Sequence, residues 1–269
     1  SDGSQGVFYS NLIGHQWRDV MEATLTVAHL LGIDYRQAAQ QLIDFTPLPG
    51  RMRRLDGQGA MILLDDSHNA IPAAVAAALE ALGGWMRVAS IRRLDHIQVP
   101  GVAVLGDMTH LGAEAESYHQ YSGECVAHIQ SDLQRGQPKY MLWLVTRGAL
   151  GEVIARAARE AGMPAERVIV THTAEDAANA VLGIAAQSAA PPVVVIKGSP
   201  EMRMEQVTER LLADPATAPE VLDRQRSIWR RAIVGELHRP TWLEIDLNAV
   251  GGNARAVKQI VGPDVAVMA

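Results

Sequence analysis

The sequence predicts an α/β protein built on a doubly wound, mostly parallel sheet, and three observations carry that expectation. Short apolar runs rich in Val, Ile and Leu alternate with longer stretches whose apolar residues recur at helical spacing. Polar clusters follow the strand-like runs, where helices should begin. With 269 residues, 48% of them hydrophobic, the chain has enough apolar surface to bury one or two ordinary cores.

Taken in order, Val20, Thr24, Val27, Ala28 and Leu31 form one helical stripe that stops at Gly32. A second helix runs from Tyr35 to Asp44. Pro47, Pro49 and Gly50 make a turn-prone hinge, so residues 1–48 read as the last helices of an earlier domain and a new domain starts near 49. Strands are expected at Ala60 to Leu64, Gly101 to Leu105, Tyr140 to Val145, Arg167 to Val170 and Pro192 to Ile196. Helices are expected at Ile71 to Leu82, Glu114 to Leu133, Leu150 to Ala161, Ala174 to Gln187 and Glu201 to Leu212. No internal repeat is visible. The domain is read as 49–213. Residues 214–238 follow as a charged linker helix, solvated rather than core-forming, and 239–269 as the start of a further domain cut short. Ser1 in place of an initiator Met reads as a trimmed front end.

Composition limits the partners. A net charge of −6 and a pI near 5.8 give no basic footprint for nucleic acid, and no apolar run has the roughly 18 residues of a membrane span. The single Cys125 cannot form an internal disulfide, which suits a reducing, cytoplasmic setting, and it reads as a buried small thiol in a helix rather than a nucleophile.

Five polar clusters end the strand-like runs: Asp65 to Pro72, Gly106 to Gly112, Thr146 to Gly148, Thr171 to Thr173, and Lys197 to Ser199. Thr171 to Thr173 reads mainly as helix capping; the first, second and last clusters read as ligand-binding. Adjacent Asp65 and Asp66 suit ribose hydroxyls or a water-held metal, while Arg51 and Lys197 suit phosphate or carboxylate. A nucleotide plus an anionic substrate fits that set. No GxxxxGK(S/T) loop is present, so the usual triphosphate cradle is missing and ATP hydrolysis by this chain alone is not expected. His119 and His128 read as helix-face residues, and no transition-metal site is assigned.

These residues also carry a resemblance. GRMRRLDGQGAMILLDDSHNAIPAAVAAALEAL, VAVLGDMTHLG with His119 following, and VVVIKGSPEMRMEQV resemble, in that order, the C-terminal domain of the Mur ligases, from about Gly50 to Leu212. Within the family they are most similar to the branch that joins D-alanyl-D-alanine to UDP-N-acetylmuramoyl-tripeptide. IGHQWRDVMEATLTVAHLLGI resembles the end of that family's central ATPase domain. The resemblance implies a Rossmann-like fold and an amide ligase of peptidoglycan precursor synthesis, using ATP and Mg2+ bound mainly by the central domain. It places Arg51 at the ATP phosphates and Asp66 at the ribose, with Asp65, His68 and Asn69 on the same nucleotide wall. Asp107, Lys197 and Ser199 would face D-alanyl-D-alanine.

Several positions depart from the family pattern. Gln16 and Asp19 stand where that segment usually has two adenine-contacting Asn residues. His68 replaces a common Tyr, Ile71 an Asn, and His110 the Glu of GDM-x-ELG, which exchanges a fixed negative charge for a titratable group.

The tail, RPTWLEIDLNAVGGNARAVKQIVGP, resembles the opening of alanine racemase, with a helix starting near Asn248 and DVAVMA as a first barrel strand. That likeness implies pyridoxal phosphate held by a lysine beyond Ala269, not by Lys258, and dimerisation through the racemase part. The chain then reads as an internal piece of a fused ligase and racemase, with neither activity expected in isolation. Two alternatives stay open. One is a sister amide ligase, for instance of the folylpolyglutamate type. The other is a non-catalytic nucleotide-binding module.

Overall fold

The computed structural model describes residues 10, 12–92, 99–136, 140–225 and 247–262. The chain divides into two units, residues 1–230 and 231–269.

In the first unit, α1 (Gln16–Leu30) and α2 (Tyr35–Ile43) precede a six-stranded sheet. Asp34 caps α2, its carboxylate accepting from the N–H groups of Arg36 and Gln37 at 3.0 and 3.1 Å. The strands are β1 (Arg53–Asp56), β2 (Ile62–Asp66), β3 (Gly101–Gly106), β4 (Leu142–Arg147), β5 (Val168–Thr171) and β6 (Val193–Lys197). Their order across the sheet is β1-β2-β6-β3-β4-β5, and every pairing is parallel except that of β1 with β2. The expected mostly parallel α/β architecture is what the chain forms, with strand ends shifted by one or two residues.

Helices α3 (Pro72–Arg92), α4 (Ala115–Gly136) and α5 (Gly151–Glu160) cover one face of the sheet; α6 (Ala174–Gln187) and α7 (Glu205–Leu211) cover the other. The strands are apolar on both sides because both are packed: Leu64, Ala103, Val193 and Val195 join one core with Leu79, Leu82 and Ile154. Their neighbours Leu63, Val102, Val104, Val194 and Ile196 join the other with Val181 and Val207. α3 is Ala-rich and starts on a proline, whose fixed φ suits a first helical turn. Thr173 caps α6 by accepting from the N–H of Asp176 at 3.0 Å, as its cluster predicts. Cys125 is half-buried, and burial pushes its thiol up, away from thiolate chemistry.

Three readings change. β1 escaped the sequence pattern because RRLD is a short, charged edge strand with only Leu55 buried. The α1 stripe is not a core face here: Val20, Val27 and Leu31 are exposed, and only Ala28 of α1 is buried. The expected linker at 214–238 starts as part of the packed unit. A 3-10 turn, Pro215–Thr217, leads into the single helical turn α8 (Ala218–Val221), whose Ala218, with Leu222, enters the second core. The charged composition hid those apolar anchors. Residues 226–246 lie outside the described residues.

In the second unit, helix α9 (Leu247–Val261) begins beside the expected Asn248 and carries Lys258. The strand expected at its end, DVAVMA, falls outside the described residues. No described helix is long and apolar enough to cross a membrane.

Candidate functional site

The site follows from strand order. β2, β6 and β3 are neighbours, with Asp66 paired to Lys197 and Lys197 paired to Leu105, so the three polar corners emerge side by side on one rim. Ser199 joins them: its N–H donates to the Asp107 carbonyl at 3.1 Å and its Oγ accepts from the Thr109 N–H at 2.9 Å.

A cavity of about 370 Å³ opens at the first and last corners. Trp17, Val20, Ile71, Ala74 and Ala77 supply apolar lining; Arg51, Asp66, His68, Asn69 and Lys197 supply polar lining, with Gln16 also on the wall. Such a lining suits a ligand with a flat apolar part and a hydroxyl- or phosphate-bearing part.

The polar lining is tightly organised. Asp66 accepts from the Met52 N–H at 3.0 Å through Oδ1 and from the Lys197 ammonium at 2.6 Å through Oδ2. Lys197, whose side chain is 3% exposed, also donates to the Asn69 carbonyl at 2.9 Å. Burial pushes the Asp66 carboxyl above its ordinary range, although Lys197, the Met52 N–H and Arg51 all pull it down. Lys197, expected to face the dipeptide, thus lines the same cavity as Arg51, Asp66, His68 and Asn69.

Asp65, expected beside Asp66 as a ligand group, points the other way. It is fully buried and accepts from the Gly50 N–H at 3.0 Å and from the Thr208 hydroxyl at 2.9 Å. Burial raises its carboxyl to about 6, against the hydrogen bonds it receives. Adjacent strand residues face opposite sides of a sheet, so two consecutive aspartates cannot share one ligand. Gly50 is required at this turn: its φ is 72°, and a Cβ there would lie 2.8 Å from the His68 nitrogen.

Sequence reasoning missed what holds the loop 66–69 from behind. The buried Arg224 guanidinium donates to the Ser67 and His68 carbonyls and pairs with Glu205 at 2.9 Å; Glu205, fully buried, also pairs with Arg203 at 2.5 Å. Next to it, Asp223 Oδ2 lies 2.6 Å from His68 Nδ1. Both residues sit in the segment read as a linker. Gln16 and Trp17 were in view only as departures from a pattern or not singled out. The Trp17 indole N–H is buried without a hydrogen-bond partner among the described residues, and its ring meets Phe45 edge-on at 6.1 Å.

At the Gly-Asp-Met corner Asp107 and Thr109 are half-buried and His110 is exposed. The Asp107 carboxylate accepts from the Leu150 N–H at 3.2 Å through either oxygen, under Gly148, whose φ of 126° leaves no room for a Cβ. Ser199 is 1% exposed. His119, read as a helix-face residue, is fully buried: its Nε2 accepts from the Met108 N–H at 2.8 Å while Nδ1 faces the Ala115 carbonyl at 2.6 Å. At the surface, Glu201 accepts from the Thr109 hydroxyl at 2.7 Å and pairs with His110 at 3.1 Å. Of the expected site residues, Arg51, Asp66, His68, Asn69 and Lys197 share one cavity, whereas Asp65, Asp107 and Ser199 are engaged internally.

No protein-family model matches the sequence, and no curated protein sequence does. Solved structures do match by fold. MurF from Acinetobacter baumannii superposes with a TM-score of 0.56 at 19% identity, over 72% of this chain and 37% of that one. UDP-N-acetylmuramoylalanyl-D-glutamyl-2,6-diaminopimelate–D-alanyl-D-alanyl ligase from the same organism gives 0.51 at 20%, over 72% and 36%. UDP-N-acetylmuramate-alanine ligase MurC from Thermotoga maritima gives 0.51 at 12%, over 78% and 41%. The chain thus spans about two fifths or less of each. The mostly parallel sheet and its helices share the architecture found in these ligases.

Proposed function

We propose that this chain supplies the nucleotide-facing closing domain of a Mur-type ATP-dependent amide ligase, acting in peptidoglycan precursor synthesis. The supporting observation is the cavity that joins Arg51, Asp66, His68, Asn69 and Lys197 to an apolar wall containing Trp17. In this reading the base lies on the Trp17 and Ile71 side, Asp66 accepts from the ribose, and Arg51 meets phosphate. Lys197 keeps Asp66 ionised and in place despite its burial. The reaction moves the γ-phosphoryl group of ATP onto a substrate carboxylate; the incoming amine then forms the amide as phosphate leaves. The Mg2+ of that reaction is assigned mainly to the central ATPase domain, as the family resemblance implies.

The finer reading, D-alanyl-D-alanine joined to UDP-N-acetylmuramoyl-tripeptide, draws on the GDM and KGS motifs in their order. The fold likeness to ligases that include a D-alanyl-D-alanyl ligase supports it. Fusion to an alanine racemase, with pyridoxal phosphate and dimerisation in that part, rests on the sequence of 239–269.

Titrating the chain with ADP while recording isotope-edited NMR spectra tests the site. Shifts should concentrate on Arg51, Met52, His68, Asn69 and the Trp17 indole. A response centred on residues 107–112, or none at all, would overturn the assignment. A parallel titration with D-alanyl-D-alanine separates a ligase domain from a plain nucleotide-binding module, which should ignore the dipeptide.

A further inference from the structure

We propose that His68 and Asp223 form a dyad that reads one ribose hydroxyl: Asp223 fixes the ring hydrogen on Nδ1, so that Nε2 faces the nucleotide as an acceptor. The inference rests on the nucleotide reading above and assigns it a specificity-determining residue, His68, and a positioning residue, Asp223.

The geometry leads to this assignment. Asp223 Oδ2 and His68 Nδ1 are 2.6 Å apart, with side chains 26% and 40% exposed respectively. Burial pushes the Asp223 carboxyl up, but hydrogen bonds from His68 and the Arg224 N–H, with the charge of Arg224, outweigh it and hold the group below its ordinary range. An ionised carboxylate only accepts, so the hydrogen between the two groups belongs to Nδ1. In the neutral ring Nε2 then carries a lone pair, and it has no hydrogen-bond partner among the described residues.

The backbone that carries the ring is held on both sides. The His68 N–H donates to the Gly50 carbonyl at 3.0 Å, and the His68 carbonyl accepts from Arg224. His68 also borders both the 370 Å³ cavity and a second one of about 580 Å³ that adjoins Arg51 and Asp223. Arg51, assigned to phosphate, borders the same two cavities. Asp66, on the same wall, is a second acceptor. Two acceptors lining one cavity match a vicinal diol, which offers two O–H donors. A tyrosine at position 68 would offer a hydroxyl that both donates and accepts, and so would discriminate less.

The test compares ADP, 2′-deoxy-ADP and 3′-deoxy-ADP binding to the full chain and to its His68→Phe and Asp223→Ala variants. It is run at about pH 8, above the unperturbed histidine range. The unsubstituted chain should lose several-fold to about ten-fold in affinity when the hydroxyl read by His68 is removed. Both variants should lose that discrimination while keeping the penalty for the other hydroxyl. Ring ¹⁵N shifts should show the Nδ1–H tautomer in the unsubstituted chain and a move toward Nε2–H in Asp223→Ala, a change that mere loss of packing does not produce. Unchanged discrimination in His68→Phe, or an Nε2–H ring in the unsubstituted chain, would overturn the dyad and leave the nucleotide site standing. Absence of ADP binding would remove the site, and the dyad with it.

Discussion

The corner after β2 and the corner after β3 each present an aspartate at the mouth of a parallel strand, yet Asp66 borders a cavity whereas Asp107 is turned onto the backbone of the β4–α5 loop. The difference is one of partners. Asp66 is held by a buried ammonium and one N–H, an arrangement that fixes the carboxylate while leaving it on the cavity wall. Asp107, half-buried, accepts among the described residues from the Leu150 N–H alone and lies against Gly148, where a Cβ would run into its carboxylate. What separates the two corners is therefore the space beside each carboxylate, a cavity at Asp66 and the β4–α5 loop at Asp107.

The contrast breaks most severely at Lys197. Asp66→Ala leaves that ammonium buried and unpaired, so the variant should lose about 3–5 kcal/mol in denaturant unfolding, together with its response to ADP. Lys197→Met should cost a similar amount by stranding Asp66. Stability equal to that of the unsubstituted chain in both variants would mean that the pair is not the anchor of this wall.

A smaller effect separates Asp65 from its neighbour. Its folded carboxyl, at about 6, holds a proton more tightly than the unfolded one at 3.8, so the folded state is favoured at low pH and loses ground as pH rises from about 4 to about 6. At about 1.4 kcal/mol per unit, this one group removes about 3 kcal/mol across that window. Asp65→Asn should lack this slope when stability is compared with the unsubstituted chain at each pH, and parallel curves would contradict the burial argument.

The sequence showed why these corners gather on one rim, since five apolar runs each hand over to a polar cluster. It could not show which aspartate faces the cavity. The pair Asp65-Asp66 looks like one feature in the sequence; the pleat divides it, sending Asp65 to Thr208 and Asp66 to Lys197. Asp223 and Arg224 were illegible for another reason. They lie more than 150 positions from His68 in a charged stretch, and only folding shows that Ala218 and Leu222 anchor that stretch in the core. Lys197 was expected to face the dipeptide; its strand end showed the rim it lies on but not that its ammonium would pair with Asp66 on the cavity wall.

At the Gly-Asp-Met corner, Asp107→Asn should cost about 1 kcal/mol, the worth of one altered hydrogen bond, as read from a urea midpoint. The smallest change is expected for Glu201→Gln, whose contacts to Thr109 and His110 are exposed; its stability should move by less than about 1 kcal/mol in the same assay.

The most direct measurement is a side-by-side ADP titration of the unsubstituted chain, Asp66→Asn and Asp107→Asn, followed through the Trp17 indole resonance. The account predicts that the resonance moves in the unsubstituted chain and in Asp107→Asn with equal affinity, and that Asp66→Asn binds much more weakly. Equal binding by Asp66→Asn, or selective loss in Asp107→Asn, would place the nucleotide at the other corner and contradict it.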